Sequence, residues 1–112
     1  MKTTYTTYTT NSDGNKYWWL GDDLHREDGP AIEYNDGGKQ WHINGKLHRK
    51  DGPAVEYISG HKEWYINGDL HREDGPAIEF YDGSKRWFYK DKEIHCKDNQ
   101  EFLIMIKLIV FL

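Results

Sequence analysis

Histidines recur along this chain at a spacing that sets proton-carrying, metal-binding side chains at regular intervals. His25, His48 and His71 are 23 residues apart, and each is followed three residues later by an aspartate. An imidazole beside a carboxylate can transfer protons or supply two metal ligands. A zinc site needs its ligands within about 2 Å of one ion, whereas equivalent residues of neighbouring two-strand repeats lie about two strands apart. The spacing therefore predicts a row of histidines, ending at His95, and no metal site.

The repetition of these groups favours a structural role. We expect His–Asp and Arg–Glu contacts to hold each loop, with Arg49 meeting Glu33 or Glu56 across strands. A catalytic group is more often unique than present at every turn. Cys96 follows His95, but neighbouring residues of a strand point to opposite faces, so the two do not form a catalytic pair. We therefore predict no catalytic residue, no cofactor and no enzyme activity.

Four tryptophans indicate that the chain consists of about four copies of one short sequence repeat. They are 23 residues apart, a period typical of stacked repeats that present a surface. Residues 25–47 and 48–70 are the regular copies, residues 71–95 have an altered end, and residues 11–24 are a partial copy. The structural residues of the repeat are Trp18, Trp41, Trp64 and Trp87, with His25, His48 and His71.

Turn signals divide each copy into short strands. The Asn-Gly pairs at 44–45 and 67–68 suit type I′ hairpins, because both central residues take positive φ. Asp-Gly at 36–37 offers a second turn, and the Asp-Gly-Pro segments offer a third. The three to five residues between turns are too few for helices. Alternation then places Ile32 and Trp41 in one aromatic–aliphatic stripe of an elongated antiparallel meander, with about four 23-residue hairpin repeats.

The repeat frame resembles that of MORN repeats, short hairpins named for membrane occupation and recognition nexus. The resemblance rests on the pattern Tyr-x-Asp-Gly-x-Lys-x-Trp-x-x-x-Gly-x-x-His over residues 11–95. The Leu-His-Arg-x-Asp-Gly-Pro-Ala segments are similar to those of repeat proteins of phages, large DNA viruses and bacteria. The resemblance implies an all-β hairpin sheet used for binding, with no catalytic motif. MORN repeats usually carry glycine where this chain has Arg26, Arg49 and Arg72, which argues against their lipid contacts.

The composition of the chain limits the classes of partner that it can bind and indicates its cellular compartment. The chain has 112 residues, with 15 basic and 19 acidic side chains and a net charge of −4. The signs are interspersed, so no broad basic field is offered to nucleic acid. A single cysteine excludes an internal disulfide framework and fits a reducing compartment. We expect one cytoplasmic domain over residues 1–112, without a secretory signal.

Two rows of side chains are candidate partner-binding surfaces. The first is aromatic, and aromatic residues dominate binding hot spots; its members are Trp19, His42, Tyr65 and Phe88. The alternative is that these four residues form a second side of the core. The other surface is acidic and solvated, suited to a basic channel of a partner; its members are Glu33, Glu56 and Glu79, with Asp22, Asp23 and Asp69.

The two ends differ from the repeats. Residues 3–10 are all threonine and tyrosine, which favours a strand that covers the first hairpin, with free coil as the alternative. Asp98 and Glu101 form a capping-box pattern ahead of an apolar run from Phe102 to Leu112. As a helix this run spans about 16 Å, half of a bilayer core. We expect a cap on the last repeat, with homodimerisation through surplus apolar surface; a strand and membrane attachment are the alternatives.

Together these features predict a non-enzymatic protein-binding module. The resemblance suggests a sharper form: a phage-encoded inhibitor that docks on a host defence protein such as a CRISPR effector. Two other classes stay open, a pocket between protomers that binds a small nucleotide through Arg26, Arg49 or Arg72, and a lipid-surface module. A hydrolase would need unlike polar groups that converge in a cleft.

Overall fold

This computed structural model describes residues 6–110 of the chain. One long antiparallel sheet forms most of this part. The molecule measures 44 × 37 × 17 Å and is therefore elongated and thin. Its strands are β1 (Thr7–Thr10), β2 (Lys16–Leu20), β3 (Asp23–Leu24), β4 (Ile32–Glu33), β5 (Lys39–Gln40), β6 (His42–Ile43), β7 (Lys46–Leu47), β8 (Val55–Glu56), β9 (Lys62–Glu63), β10 (Tyr65–Ile66), β11 (Asp69–Leu70), β12 (Ile78–Glu79), β13 (Lys85–Tyr89) and β14 (Lys92–Ile94). A helix, α1 (Asn99–Val110), follows.

The strands pass through the main sheet as a meander. This sheet has ten strands in the order β1-β2-β4-β5-β8-β9-β12-β13-β14, with β3 beside β2. In addition, β6 pairs with β7 and β10 pairs with β11 in two small hairpins. The second and third copies therefore each supply two strands to the main sheet and two to a hairpin of their own. This arrangement confirms the predicted all-β antiparallel meander with a C-terminal helix.

Neighbouring copies are joined by backbone hydrogen bonds in both parts of the repeat. The Trp41 N–H donates to the Ala54 carbonyl at 2.8 Å, beside the main sheet. The Gly68 N–H donates to the Leu47 carbonyl at 2.8 Å, between two small hairpins. Ala54 is fully buried, so the junction has space for a methyl group and no more.

Tight turns close the small hairpins. Asn44 and Gly45 have φ angles of 51° and 80°, as a type I′ turn requires. The fourth copy lacks Asn-Gly, and there Lys90 and Asp91 take φ angles of 48° and 69°. Left-handed backbone is costly for non-glycine residues, and the Asp91 carboxylate accepts a bond from the Leu70 N–H at 3.1 Å. The altered copy therefore keeps the turn with different residues.

A three-residue turn fixes the register of the main-sheet hairpins. Gly37 has a φ of 101°, as expected for the left-handed residue that ends a type I turn with a bulge. The resulting register sets Ile32 opposite Gln40, and directly opposed residues share a face. Trp41, the next residue, therefore lies on the other face. The predicted single stripe was wrong because alternation within strands does not reveal how the intervening turn aligns them.

This register gives the main sheet a charged face and an aromatic face. On the charged face lysine and glutamate alternate across the strands: Lys16, Glu33, Lys39, Glu56, Lys62, Glu79 and Lys85. The aromatic face carries Tyr17 opposite Ile32, and there Ile32, Val55 and Ile78 alternate across the strands with the polar Gln40, Glu63 and Arg86. Tyr34, Tyr57 and Phe80 lie two residues beyond the aliphatic ones. Opposite charges across strands are favourable, and a one-residue slip would exchange the faces. The charge pattern therefore helps to specify the register.

The N-terminal strand covers the first hairpin, as predicted. All four residues of β1 pair with β2, and Trp19 Nε1 donates to Thr9 Oγ1 at 2.9 Å. Tyr8 packs on Trp18 with ring centroids 5.0 Å apart. Residues 3–5 of the predicted strand lie outside the described residues.

Helix α1 caps the last copy. Asp98 Oδ1 accepts a hydrogen bond from the Glu101 N–H at 2.8 Å, which satisfies a free donor of the first turn. Phe102 is fully buried and packs with Trp87 and Ile94. The predicted helical cap is therefore confirmed, and the strand alternative was wrong.

The outward face of α1 remains apolar. Leu103, Ile104 and Leu108 are exposed there, so the homodimer contact stays a prediction. Residues 111–112 lie outside the described residues. Within the described part of the chain, no helix has both the length and the apolar character to span a bilayer.

Candidate functional site

An arginine is clamped at each junction between copies. The guanidinium carbon of Arg49 lies 3.8 Å from the ring centroid of Trp41, a cation–π geometry. Its Nε donates to Asp51 at 3.3 Å, its Nη1 donates to the Pro53 carbonyl at 3.1 Å, and Glu56 lies 3.7 Å away. We call this group an arginine node. The equivalent nodes centre on Arg26 over Trp18 and on Arg72 over Trp64.

The glycine of each Asp-Gly-Pro segment makes room for its arginine. A Cβ atom on Gly52 would lie 2.8 Å from the guanidinium carbon of Arg49, and Gly29 and Gly75 show the same conflict at 2.9 Å. These three glycines do not have positive φ. Close approach, and not a special backbone conformation, therefore requires glycine here.

The glutamate row belongs to the arginine nodes. Arg26 Nη1 donates to Glu33 at 2.9 Å, and Glu79 is held in the same way. The predicted contact between Arg49 and Glu56 is present. All three glutamates are half-buried and lie beside an arginine of the fold, so the predicted acidic row is only partly solvated. The other predicted acidic residues are exposed: Asp22, Asp23 and Asp69.

The contacts within the arginine nodes argue against the alternative that these arginines bind a small nucleotide. Each of the three arginines already contacts two carboxylates. A nucleotide phosphate would have to displace a carboxylate and break the node. The geometry therefore favours a structural role for Arg26, Arg49 and Arg72.

The tryptophan row has two roles. Trp18, Trp41 and Trp64 are half-buried under their arginines. Trp87 is buried against α1, and its Nε1 donates to Asn99 Oδ1 at 2.8 Å. The last tryptophan therefore anchors the helix where the others anchor the next copy.

The histidine row joins each hairpin to the next, because each histidine directly follows the last strand of one hairpin and contacts the turn of the next. In each case Nδ1 accepts a hydrogen bond from a backbone N–H in the turn of the following small hairpin. The three pairs, which we call histidine joints, are His25 with Asn44 at 2.8 Å, His48 with Asn67 at 3.0 Å and His71 with Lys90 at 2.8 Å. The predicted His–Asp contacts were wrong, because each aspartate instead bonds the arginine of its node. Within the described residues, no three His, Cys, Asp or Glu side chains are grouped to hold a metal ion.

Cys96 is half-buried beside α1. Burial raises the pKa of its thiol, and the nearby carboxylates of Glu101 and Asp98 raise it further. The thiolate is the nucleophilic form of cysteine. The surroundings of the thiol therefore disfavour nucleophilic chemistry at Cys96.

The predicted aromatic row is not a continuous exposed surface. His42 and Phe88 are each only 7% exposed, while Trp19 and Tyr65 are half-buried. Phe88 packs with Ile78 in a core cluster. The alternative of a second core side therefore holds for His42 and Phe88, and partner contact through these two was a wrong prediction, because they are covered by the fold.

His42 differs from the other members of that row because its polar ring is buried. Its Nδ1 is buried without a hydrogen-bond partner among the described residues, and burial lowers the pKa of the imidazole. The other copies carry Trp19, Tyr65 and Phe88 at this position. We expect His42→Phe to raise the free energy of unfolding by about 1–2 kcal/mol, because an unsatisfied buried polar group costs about 1–3 kcal/mol. Urea unfolding at neutral pH measures the change.

The matched control for His42→Phe is Tyr65→Phe in the next copy. The Tyr65 hydroxyl donates to Glu63 Oε1 at 2.6 Å, so its removal should lower stability by about 1 kcal/mol. Equal or lower stability of His42→Phe relative to the unaltered chain would show that the imidazole is satisfied.

One polar cluster is unique to the third copy and was missed in the sequence. Glu63 accepts the Tyr65 hydroxyl through Oε1, and its Oε2 lies 2.7 Å from His61 Nε2. Burial and the bond to Glu63 raise the pKa of Tyr65 well above its usual value. The His61 ring packs on Tyr57 and Phe80, with centroids 5.3 and 5.1 Å away. The cluster orients an imidazole on the aromatic face.

The signal for this cluster was its departure from the repeat. His61 stands where the other copies have Asn15, Gly38 and Ser84, and Glu63 stands where they have Tyr17, Gln40 and Arg86. Both carboxylate oxygens of Glu63 are occupied. The arrangement therefore fixes the position of Tyr57 and its neighbours more directly than it offers a free acid or base.

Three large exposed side chains lie at two neighbouring turns of the main sheet. Tyr57 is 50% exposed, Ile58 69% and Tyr81 77%; we call these three residues the tip patch. Ile58 reaches the preceding turn, where its Cδ1 would lie 3.2 Å from a Cβ on Gly37. At Ile58's position the first two copies carry the polar residues Ser12 and Asn35. The apolar tips are therefore a property of the third and fourth copies alone.

Comparison with known proteins finds no matching family model, curated protein or solved structure. The function is therefore inferred from the surfaces of the repeats. Their repeated polar groups serve the joints and nodes, whereas the copy-specific side chains lie on the aromatic face and at the tips.

Proposed function

We propose that this chain is a non-enzymatic, cytoplasmic protein-binding module that contacts its partner through the tip patch. The observation that carries this proposal is the exposure of Tyr57, Ile58 and Tyr81 at adjacent turns. Exposed apolar clusters commonly mark interaction sites, and tyrosine is enriched in binding hot spots.

The support beneath the patch strengthens the proposal. Tyr57 packs on His61, which packs on Phe80 and is fixed by Glu63. A side chain that is already positioned loses less conformational entropy on binding. The partner that fits is a protein with an apolar concave surface, because Tyr57, Ile58 and Tyr81 are uncharged and lie exposed at turns that join the strands.

A pull-down from native host lysate with the tagged full-length chain tests the proposal. The test variant carries Tyr57→Ser, Ile58→Ser and Tyr81→Ser. The matched control carries Leu103→Ser, Ile104→Ser and Leu108→Ser, which removes three exposed apolar side chains from α1. We expect the tip variant to lose a captured protein that the control retains. Identical capture by the unaltered chain and the tip variant would remove the tip patch as the contact.

The sharper form of the proposal takes a host defence protein, such as a CRISPR effector, as the partner. Its support is the resemblance of the Leu-His-Arg-x-Asp-Gly-Pro-Ala segments to repeat proteins of phages and large DNA viruses. The purified effector, titrated with the unaltered chain and with the tip variant, tests this form. Loss of effector activity with the unaltered chain alone is the expected result, and unchanged effector activity with both would reject it.

A further inference from the structure

The three histidine joints depend on the neutral form of imidazole. In each joint Nδ1 is the acceptor of a backbone N–H from the turn of the next hairpin. A protonated imidazole has hydrogens on both ring nitrogens and cannot accept a hydrogen bond. Protonation would therefore remove the acceptor and set a cation against a backbone donor at each of these three contacts between hairpins.

We propose that the joints form a built-in acid-sensitive switch, which loosens the contacts between successive hairpins on acidification. The same contact recurs between three successive pairs of hairpins. Its loss therefore weakens the whole array and not a single loop, since a repeat protein is stabilised through its nearest-neighbour interfaces.

The charged groups around the joints differ from copy to copy. His25 Nε2 lies 3.5 Å from Glu27, and Asp23 borders the turn that His25 holds. His71 Nε2 lies 3.8 Å from Glu73, with Tyr89 packed on the ring. The turn against His71 carries Lys90 and Asp91.

Among the described residues, no carboxylate lies within ion-pair distance of His48, the middle joint. His48 has Lys50 where the outer joints have glutamate, and Lys46 borders the turn that it holds. Burial lowers the pKa of His48, and the charge of Lys50 lowers it further. The folded chain therefore binds fewer protons at His48 than the unfolded chain does over part of the acid range.

The direction of the pH effect follows from this difference. A histidine whose pKa is lowered by folding contributes its full stability above the unfolded value of about 6.5. That contribution is lost as the pH falls from there through the folded pKa. His42 acts in the same direction, because burial lowers its pKa as well.

Urea unfolding of the full chain at about pH 7.5 and about pH 5 tests the switch. The test variant carries His25→Asn, His48→Asn and His71→Asn, because the asparagine Oδ1 can take the place of Nδ1 and does not titrate. Both proteins also carry His42→Phe, which removes the contribution of that buried imidazole. We expect the urea midpoint to fall on acidification with the joints intact and to fall much less in the asparagine variant. Equal falls would overturn the proposal.

Amide hydrogen exchange gives a second measurement that does not require the variant to fold. The reporters are the Asn44, Asn67 and Lys90 amides of the unaltered chain, which donate to the histidines. Base-catalysed exchange of an amide slows as the pH falls, so a gain in exchange rate on acidification indicates opening of the joint. Each rate is therefore compared with that of an unstructured amide at the same pH, and protection that does not decrease on acidification at any of the three amides would overturn the proposal. Neither measurement uses a partner, so the outcome is independent of the proposed binding function.

Discussion

Replacing Phe102 with alanine should lower the free energy of unfolding by about 3–5 kcal/mol. The Phe102 side chain is fully buried, and it packs with Trp87, Ile94 and Ile106 where α1 meets the last copy. Alanine would leave a cavity there and uncover Trp87, because the helix has few other buried side chains to hold it. Urea unfolding followed by tryptophan fluorescence measures the change.

The neighbouring residue provides the control for this prediction. Leu103 lies on the outward face of α1 and is 42% exposed. Leu103→Ala should cost no more than about 1 kcal/mol, because less apolar surface leaves water on folding and alanine is a good helix former. Equal costs for the two substitutions would show that α1 does not dock on the last copy as described.

The parts of the fold that were predicted correctly depend on neighbouring residues in the sequence. The Asn-Gly pairs specify tight hairpins through their own φ angles, as Asn44 and Gly45 show. The cap of α1 follows from two residues three positions apart, Asp98 and Glu101. The strand at residues 7–10 follows from β propensity next to an open edge. Each of these features is decided over a few residues, so the sequence was sufficient.

The parts that were predicted wrongly depend on register and on contacts between residues that are distant in the sequence. The side of the sheet that Trp41 occupies is set by the bulged turn at Gly37 and not by alternation alone. His48 was paired with Asp51 in sequence, yet its partner is the Asn67 backbone, 19 residues away. A backbone N–H is the same in every residue type, so composition carries no signal for such a bond.

The candidate site was hidden for a related reason. A search for what the copies share finds the groups that hold the copies together, such as Arg49 and its node. Ile58 and Tyr81 of the tip patch, together with the Glu63 cluster, are instead at positions where the copies differ. In a repeat protein the residues that all copies share mostly stabilise the fold. The residues that differ between copies are therefore the better guide to a binding surface.

Gly52→Ala should lower the free energy of unfolding by about 2–3 kcal/mol, because it expels an arginine from its node. The added Cβ would lie 2.8 Å from the guanidinium carbon of Arg49. The side chain can move away, but it then leaves the Trp41 ring, the Pro53 carbonyl and the carboxylate of Asp51. The cation–π contact contributes about 0.5–1 kcal/mol, and hydrogen bonds to charged groups contribute about 1.5–3 kcal/mol. Urea unfolding of the single variant measures the loss.

A double-mutant cycle with Arg49→Ala identifies the cause of that loss. If Gly52→Ala acts by displacing the guanidinium, it should cost almost nothing once Arg49 is absent. It could even stabilise by about 0.4–1 kcal/mol, because alanine restricts the unfolded chain more than glycine does. A cost of 2–3 kcal/mol in both backgrounds would mean that Gly52 is required by its own backbone. The same cycle at Gly75 and Arg72 should give the same coupling, since the same close approach occurs there at 2.9 Å. Agreement between the two copies would establish that the Asp-Gly-Pro segment is retained in each repeat to admit an arginine.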